Sequence, residues 1–340
     1  MLSRQGGKDL NPQPVQNMQN MIIMSKAREL GIDCKLLLPG CEDFLELTYK
    51  DETIVINKSR SHKMTLMAGL LAKHKEVSNL LLRRAELPVP EDIVVSDMGE
   101  EARRFLVKHQ LVTVKPLDLN RSIGVTIRVR AEEELADAIQ KVQRYSPSIM
   151  LQRYVEGYDY RVLVIGDQVV GVLEYRPAYI VGDGYSTIEQ LVQRMNDEQL
   201  RRNTADLSSS YQPIDMESSD IQHHLHQQGR AAHDIPANGE QVELYTLDNA
   251  AANSLSEVIA DRTDHICISN AEAAIKAAQA LQLDVAGVDI RCKRIDLPLI
   301  EENGAILEVN ALPDLVDPHL FIQEAASDVI TVYLNYLFQD

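Results

Sequence analysis

The chain has 340 residues, 45% of them hydrophobic and 25% charged, with a formal net charge of −17. That length supports two or three packed units, and the acidic balance argues against a general nucleic-acid surface or a surface for anionic membranes. Four cysteines without a CxxC pair exclude a disulfide scaffold, and no apolar run approaches the ~20 residues that cross a bilayer, so a cytoplasmic protein without a signal peptide is expected.

Residues 1–14 are polar, contain Pro and Gly, and read as a loose arm. Residues 15–31 predict a helix that stops at Gly31. A strand at Cys34–Leu38, the turn Pro39-Gly40 and a hairpin over 44–49 and 53–57 complete a small N-terminal α/β region to about residue 70. A helical stretch then runs through Lys63–Ala85 until Pro88 and Pro90 forbid continuation. Strands are expected at 91–95, 111–115 and 125–129, with helices at 98–109 and 131–145. In the second helix Leu135, Ile139 and Val142 share a face. Strands at 148–152, 160–165 and 168–174 follow, the last two joined at Gly166-Asp167. A helix at 187–196 leads into 203–240, read as a long polar insertion with partial helix. Helix 270–281, strands 285–291 and 305–309, and a last helix over about 321–338 close the chain. The fold class is α/β to α+β, divided into an arm, the 15–70 region, and a larger domain over 71–340 split near residue 150.

The polar residues that stand out inside core strands carry the chemistry. Glu308 and Asn310 are two apart, so on a strand they share one face, and Asp289 in Gly287-Val288-Asp289-Ile290 can meet them from a neighbouring strand. Two carboxylates and an amide carbonyl are hard oxygen ligands that suit Mg²⁺; strand-end polar residues meeting solvent are the plainer alternative. Lys115 ends an apolar strand, and the loop to Gly124 can cover a phosphate chain with backbone N–H groups. The segment Gln152-Arg153-Tyr154-Val155-Glu156-Gly157-Tyr158-Asp159-Tyr160-Arg161 lies between two strands, where its backbone can face a base, Asp159 a ribose and Arg161 a phosphate. A surface loop is the other reading. Arg176 is placed to meet an anion, and Gly182-Asp183-Gly184 permits a tight turn. His223, His224, His226 and His233 sit in the polar insertion without the spacing of a zinc site and read as solvated. Neither a G-x-S-x-G elbow nor a Walker A lysine loop occurs.

Taken in order, Ala72-Lys73-His74-Lys75, VKPLD, YVEGYDYRVLVIGDQVVG, RPAYIVGDGYSTIEQLV, AGVDIRC and ILEVNALP resemble the ATP-grasp domain of cyanophycin synthetases, bifunctional glutathione synthetases and N-acetylglutaminylglutamine synthetases, over roughly residues 70–320. The resemblance implies an ATP-grasp fold with the nucleotide held between two α+β subdomains. It also implies a carboxylate–amine ligase that uses ATP and two Mg²⁺ ions (Mn²⁺ can substitute) on an amino acid or small peptide. Lys75 and Lys115 would contact phosphates; Gln152, Tyr154 and Val155 the adenine; Asp159 the ribose; Gly124 and Asp183 the nucleotide loops. Arg161 and Arg176 would lie near the γ-phosphate or acyl group, and Asp289, Glu308 and Asn310 would hold the metals. Partners would be these small molecules, with no nucleic acid or membrane; a homo-oligomer is open.

The sequence departs from that pattern at several points. Gln152 stands where the family usually has Glu. The 118–124 loop keeps only Gly124, with Leu119 and Ser122 where glycine is common, and Leu312-Pro313-Asp314 replaces the usual Pro-Gly. Residues 248–253 lack a glycine pair found in cyanophycin synthetases, and no Mur-ligase-like segment follows, so their two-step cycle is not expected. A carboxylate kinase or carboxylase, and a non-catalytic nucleotide-binding module, are the alternatives.

Overall fold

The computed structural model describes residues 15–119, 124–204, 213–245, 257–322 and 328–339. The 1–14 arm, positions 120–123 of the 118–124 loop, part of the polar insertion and the 248–253 segment therefore lie outside the described residues.

Helix α1 (Met18–Glu29) starts at Asn17, whose side chain accepts from the Asn20 N–H, the usual way to satisfy an orphan donor at a helix start. A three-stranded antiparallel sheet follows, β1 (Asp33–Leu38), β2 (Cys41–Tyr49) and β3 (Glu52–Ile56). The stretch expected as one helix is two, α2 (Leu66–Lys73) and α3 (Lys75–Arg84), because His74 leaves the helical region at φ −96°, ψ 95°.

The middle of the chain builds a four-stranded antiparallel sheet in the order β4-β7-β5-β6, from β4 (Asp92–Val95), β5 (Val112–Pro116), β6 (Thr126–Val129) and β7 (Ile149–Arg153). Helices α4 (Glu100–His109) and α5 (Glu132–Gln143) cover one face. Val112 and Val114 of β5, with Ile149 and Leu151 of β7, point into that core beside Phe105, Leu135 and Ile139. Alternation then turns Thr113, Lys115 and Gln152 to the uncovered face, with Thr113 opposite Gln152 and Lys115 opposite Met150.

The larger sheet has five antiparallel strands, β12-β9-β8-β13-β14, formed by β8 (Tyr158–Ile165), β9 (Gln168–Pro177), β12 (Glu257–Asp261), β13 (Val285–Cys292) and β14 (Gly304–Asn310). On one face Tyr160, Val162, Val164, Ala286, Val288 and Ile290 pack under α2, α3 and α8 (Ile268–Ala280). On the other face the alternation divides. Leu163, Ile165 and Val285 join a core with α1, the three-stranded sheet and the last helix, α10 (Val329–Leu337), where Tyr333 and Leu334 are fully buried. Further along the same face stand Asp159, Arg161, Asp289 and Arg291. The N-terminal region thus shares its core with the end of the chain. The last helix expected over about 321–338 is described as α10 from Val329 to Leu337, and a short helix, α9 (Val316–Phe321), precedes it.

The insertion is less polar than its composition suggests. Helices α6 (Ile188–Thr204) and α7 (Ser219–Gln227) and the two-stranded pair β10 (Tyr179–Val181) and β11 (Gln241–Glu243) enclose their own core. Ile188, Val192, Ile214, Ile221, Leu225 and Val242 are buried in it. His224 is buried on α7 rather than solvated.

Candidate active site

Where the uncovered faces of the four- and five-stranded sheets oppose each other, they enclose a cleft of about 700 Å³. Lys75, Thr113, Lys115, Gln152, Arg153 and Val155 line one side; Asp159, Arg161, Tyr175, Asp289, Arg291 and Glu308 line the other. Val125, Ile127 and Leu307 add apolar surface, and Asp314 and Asp317 also line the cleft.

Register explains the polar floor. Asp289 of β13 sits directly between Arg161 of β8 and Glu308 of β14, and Asn310 lies opposite Gly287 on the same face. Asp289 accepts a two-pronged pair from Arg161, Nε to Oδ1 and a terminal nitrogen to Oδ2 at 3.1 Å. Asn310 Nδ2 donates to Asp289 Oδ2 at 3.0 Å, which turns its amide oxygen away from Asp289. Burial is the main cause that lifts Asp289 to about 6, Arg161 opposes it, and the facing Glu308 adds to it. The carboxylate pair thus carries more negative charge than Arg161 relieves. Asp289 and Glu308, side by side on neighbouring strands, are hard oxygen donors that fit a divalent cation. Among the described residues no group of three or more His, Cys, Asp and Glu that could hold a metal ion is found, so a cation here would need oxygen donors from outside the protein as well.

The opposite side is cationic. Lys115 Nζ donates to Gln152 Oε1 at 3.0 Å, and burial lowers Lys115 to about 8 against the pull of Glu308. Lys75 Nζ donates to the Leu117 carbonyl at 3.1 Å and to that of Leu119, tying the start of the loop to α3; burial lowers its pKa too. Two ammonium groups therefore face two carboxylates across a space that an anion with its counter-cation would fill.

Of the residues singled out from sequence, Lys75, Lys115, Gln152, Val155, Asp159, Arg161, Asp289 and Glu308 meet in this cleft, and Asn310 touches it through Asp289. Asp159, expected to be open to a ribose, is engaged by Arg291 through two bonds of 2.6 Å. The Tyr154 ring is buried, with the Arg291 guanidinium 5.6 Å from its centroid; its N–H donates to the Leu111 carbonyl at 3.0 Å, and Tyr154 does not line the cleft. Gly124 follows the undescribed part of the loop and does not line the cleft. Arg176, expected near a γ-phosphate or acyl group, does not line the cleft. It donates to the buried Glu174 at 2.7 Å and lies 4.1 Å over the Tyr158 ring, with Arg262 on the other carboxylate oxygen. Asp183 is also outside. It accepts from the Tyr185 and Ser186 N–H groups and from Arg194, organising the turn into α6. Sequence reasoning missed Arg291, Tyr175 and Asp317. Arg291 had a signal, since it lies two residues beyond Asp289 on one strand and must share its face.

The D-ala D-ala ligase C-terminus family model matches residues 81–209. The chain is 31% identical to the cyanophycin synthetase of Trichormus variabilis over 293 residues, 86% of this chain and 32% of that protein. It is 34% identical to that of Synechocystis over 82% of this chain and 31% of that protein. It is 29% identical to the glutathione biosynthesis bifunctional protein of Clostridium perfringens, over 87% of this chain and 38% of that protein. The chain thus spans about a third of the length of these curated relatives. Among solved structures, a bifunctional glutathione synthetase from Pasteurella multocida superposes with a TM-score of 0.72 at 23% identity, covering 94% of this chain and 44% of that one. Architecture and sequence likeness together give the chain the ATP-grasp fold.

Proposed function

We propose that the chain is an ATP-dependent carboxylate–amine ligase whose catalytic unit is the 71–340 region, with the 15–70 region as its support. The observation that carries this reading is the cleft itself, in which Lys75 and Lys115 on one side face Asp289, Glu308 and Asn310 on the other. ATP would lie with its phosphates between the lysines and the carboxylates. Asp289, Glu308 and Asn310 would hold Mg²⁺, which when bound offsets phosphate charge. Asp289 keeps Arg161 extended along the floor, where the guanidinium can meet an acyl or phosphoryl oxygen.

The chemistry asks little covalent work of the side chains. A substrate carboxylate oxygen attacks the γ-phosphorus and ADP leaves. The amine nitrogen then attacks the carbonyl carbon of the acyl-phosphate, inorganic phosphate leaves, and the nitrogen gives up a proton. Lys115 and Lys75 stabilise charge on the phosphoryl oxygens, and the cleft excludes water that would hydrolyse the mixed anhydride. Asp314 and Asp317 also line the cleft, and a cationic amine or amino acid suits them. Relatives that bear the names cyanophycin synthetase and glutathione biosynthesis protein support amino acids or small peptides as the substrate class.

The test is incubation with Mg-ATP and pooled amino acids and short peptides, with ADP and new amide masses followed together. Amide formed with ADP supports the ligase. ADP without amide at any substrate favours a carboxylate kinase, and Mg-ATP binding without turnover favours a non-catalytic module.

A further inference from the structure

A second cavity, of about 460 Å³, is lined by Arg128, Glu156, Tyr158, Pro177, Glu243 and Lys293, and it shares no lining residue with the cleft described above. Its volume falls in the range of about 300–1,000 Å³ usual for small-ligand pockets. Alternation on β8 turns Asp159 into the cleft and its neighbour Tyr158 to the other face, into the cavity. Lys293 follows Cys292, which is opposite Tyr158 on the neighbouring strand. Arg128 comes from β6 of the four-stranded sheet and Glu243 from β11 of the insertion. Both large sheets and the insertion therefore contribute to it.

Arg128 is placed there against its own backbone preference. Val112 of β5 pairs with Val129 and Val114 with Thr126, so Ile127 and Arg128 together oppose Thr113 alone. That is a β-bulge, and within it Arg128 takes the left-handed conformation at φ +58°. Glycine is the usual residue for that role, because a side chain there strains the backbone. Every other described non-glycine residue at positive φ stands in a turn or beside a helix end. The charges around the cavity are also left open. Arg176 and Arg291, close by, are each held by a carboxylate. Arg128, Lys293, Glu156 and Glu243 are in no ion pair with any described residue, although two cations and two carboxylates line one space. Glu156, Glu243 and Lys293 are exposed and Arg128 is half-buried, so all four can be reached. A ligand that carries both charges would complete both sets with charge-assisted hydrogen bonds, and Tyr158 and Pro177 give apolar surface for what lies between. We infer that this cavity is a second binding site, for an α-amino acid or short peptide whose carboxylate meets Arg128 and Lys293 and whose ammonium meets Glu156 and Glu243.

The experiment is titration calorimetry of the full chain, with Mg-ADP present, using triglycine, N-acetyl-triglycine and triglycine amide. The two derivatives each lack one terminal charge. Wild type is compared with Arg128→Gly and Lys293→Gln. Triglycine should bind the wild type, and removal of either terminal charge or of either cation should weaken it by about tenfold or more. Thermal unfolding separates a binding role from a structural one: Arg128→Gly should have a Tm no lower than wild type, because glycine takes this φ without strain. No binding of triglycine, equal binding of the blocked derivatives, or unchanged binding in Arg128→Gly would overturn the inference. Should Arg128→Gly fold poorly, Lys293→Gln and Glu243→Gln, both at exposed positions, decide by the same tenfold criterion. Triglycine binding that is lost in Asp314→Asn but kept in Lys293→Gln belongs to the cleft, and would overturn this inference while leaving the ligase reading standing.

Discussion

Gly157→Ala tests whether the segment between β7 and β8 is locked to the strand that carries Asp289. Gly157 has φ +131°, and a Cβ built there would lie 2.2 Å from the Cys292 carbonyl carbon, 2.4 Å from its oxygen and 2.6 Å from the Lys293 nitrogen. Real Cβ contacts with backbone essentially never fall below 3.0 Å, so one chain segment must move by most of an ångström or more. The atoms in the way are backbone at the end of β13, and Arg291 and Asp289 stand on that same strand. Overpacking costs about 1–3 kcal/mol and a non-glycine residue at such a φ a further 1–3 kcal/mol, roughly 2–6 kcal/mol together. Gly229→Ala is the control, because Gly229 has φ +69° and nothing within 4 Å of its Cβ, so only the conformational cost applies there. Thermal unfolding of both variants should show a clearly larger drop in Tm for Gly157→Ala. Mg-ATP affinity should fall only in that variant, since the shift displaces the Asp159–Arg291 pair. Equal Tm losses, or wild-type affinity in Gly157→Ala, would refute the packing argument.

Further predictions concern the cleft. Glu308→Gln should abolish amide formation, by about 10³-fold or more in turnover, while thermal unfolding and far-UV circular dichroism stay near wild type; near-normal turnover would remove the metal assignment. Lys115 should make Mg-ATP binding pH-dependent. Burial lowers its pKa from 10.5 to about 8, so the free site loses its proton as pH rises through about 8 and affinity should decline there. The unfolded chain keeps that proton up to 10.5, so between about 8 and 10.5 this group makes the fold more stable as pH rises, and the decline is not unfolding. Lys115→Met should weaken binding about 10–100-fold and flatten that profile in calorimetry. Asp314→Asn and Asp317→Asn should raise KM for the amine by several-fold while leaving Mg-ATP affinity unchanged in the same assay; unchanged amine KM would remove them from the acceptor end.

Much of the architecture was legible because alternation in the strands is strong. Residues 160–165 and 285–291 read as strands from their own pattern, within the observed Tyr158–Ile165 and Val285–Cys292, and the common face of Glu308 and Asn310 follows from spacing alone. What spacing could not supply was register. Asp289 meets Arg161, and Asp159 meets Arg291, only because β8 and β13 pair across more than a hundred residues of sequence. No local signal tells that two arginines will be drawn back onto carboxylates. Arg176 illustrates the same gap: near Glu174 in sequence, it is held by that buried carboxylate instead of reaching the cleft. The break between α2 and α3 has neither Gly nor Pro to announce it, and Glu257–Asp261 gives no apolar alternation yet pairs with β9. The apolar residues of the insertion are too sparse to show a period, and only packing reveals their common core.

The most direct test of the central claim is isotope transfer from carboxylate to phosphate. The protein is given Mg-ATP, a pool of amino acids labelled with ¹⁸O in the carboxylate, and unlabelled short peptides as amines; released phosphate is analysed by mass spectrometry. An acyl-phosphate route predicts one ¹⁸O in phosphate for each amide formed from a labelled carboxylate, with one ADP. Amide formed from a labelled carboxylate with unlabelled phosphate, or with AMP in place of ADP, would contradict the account.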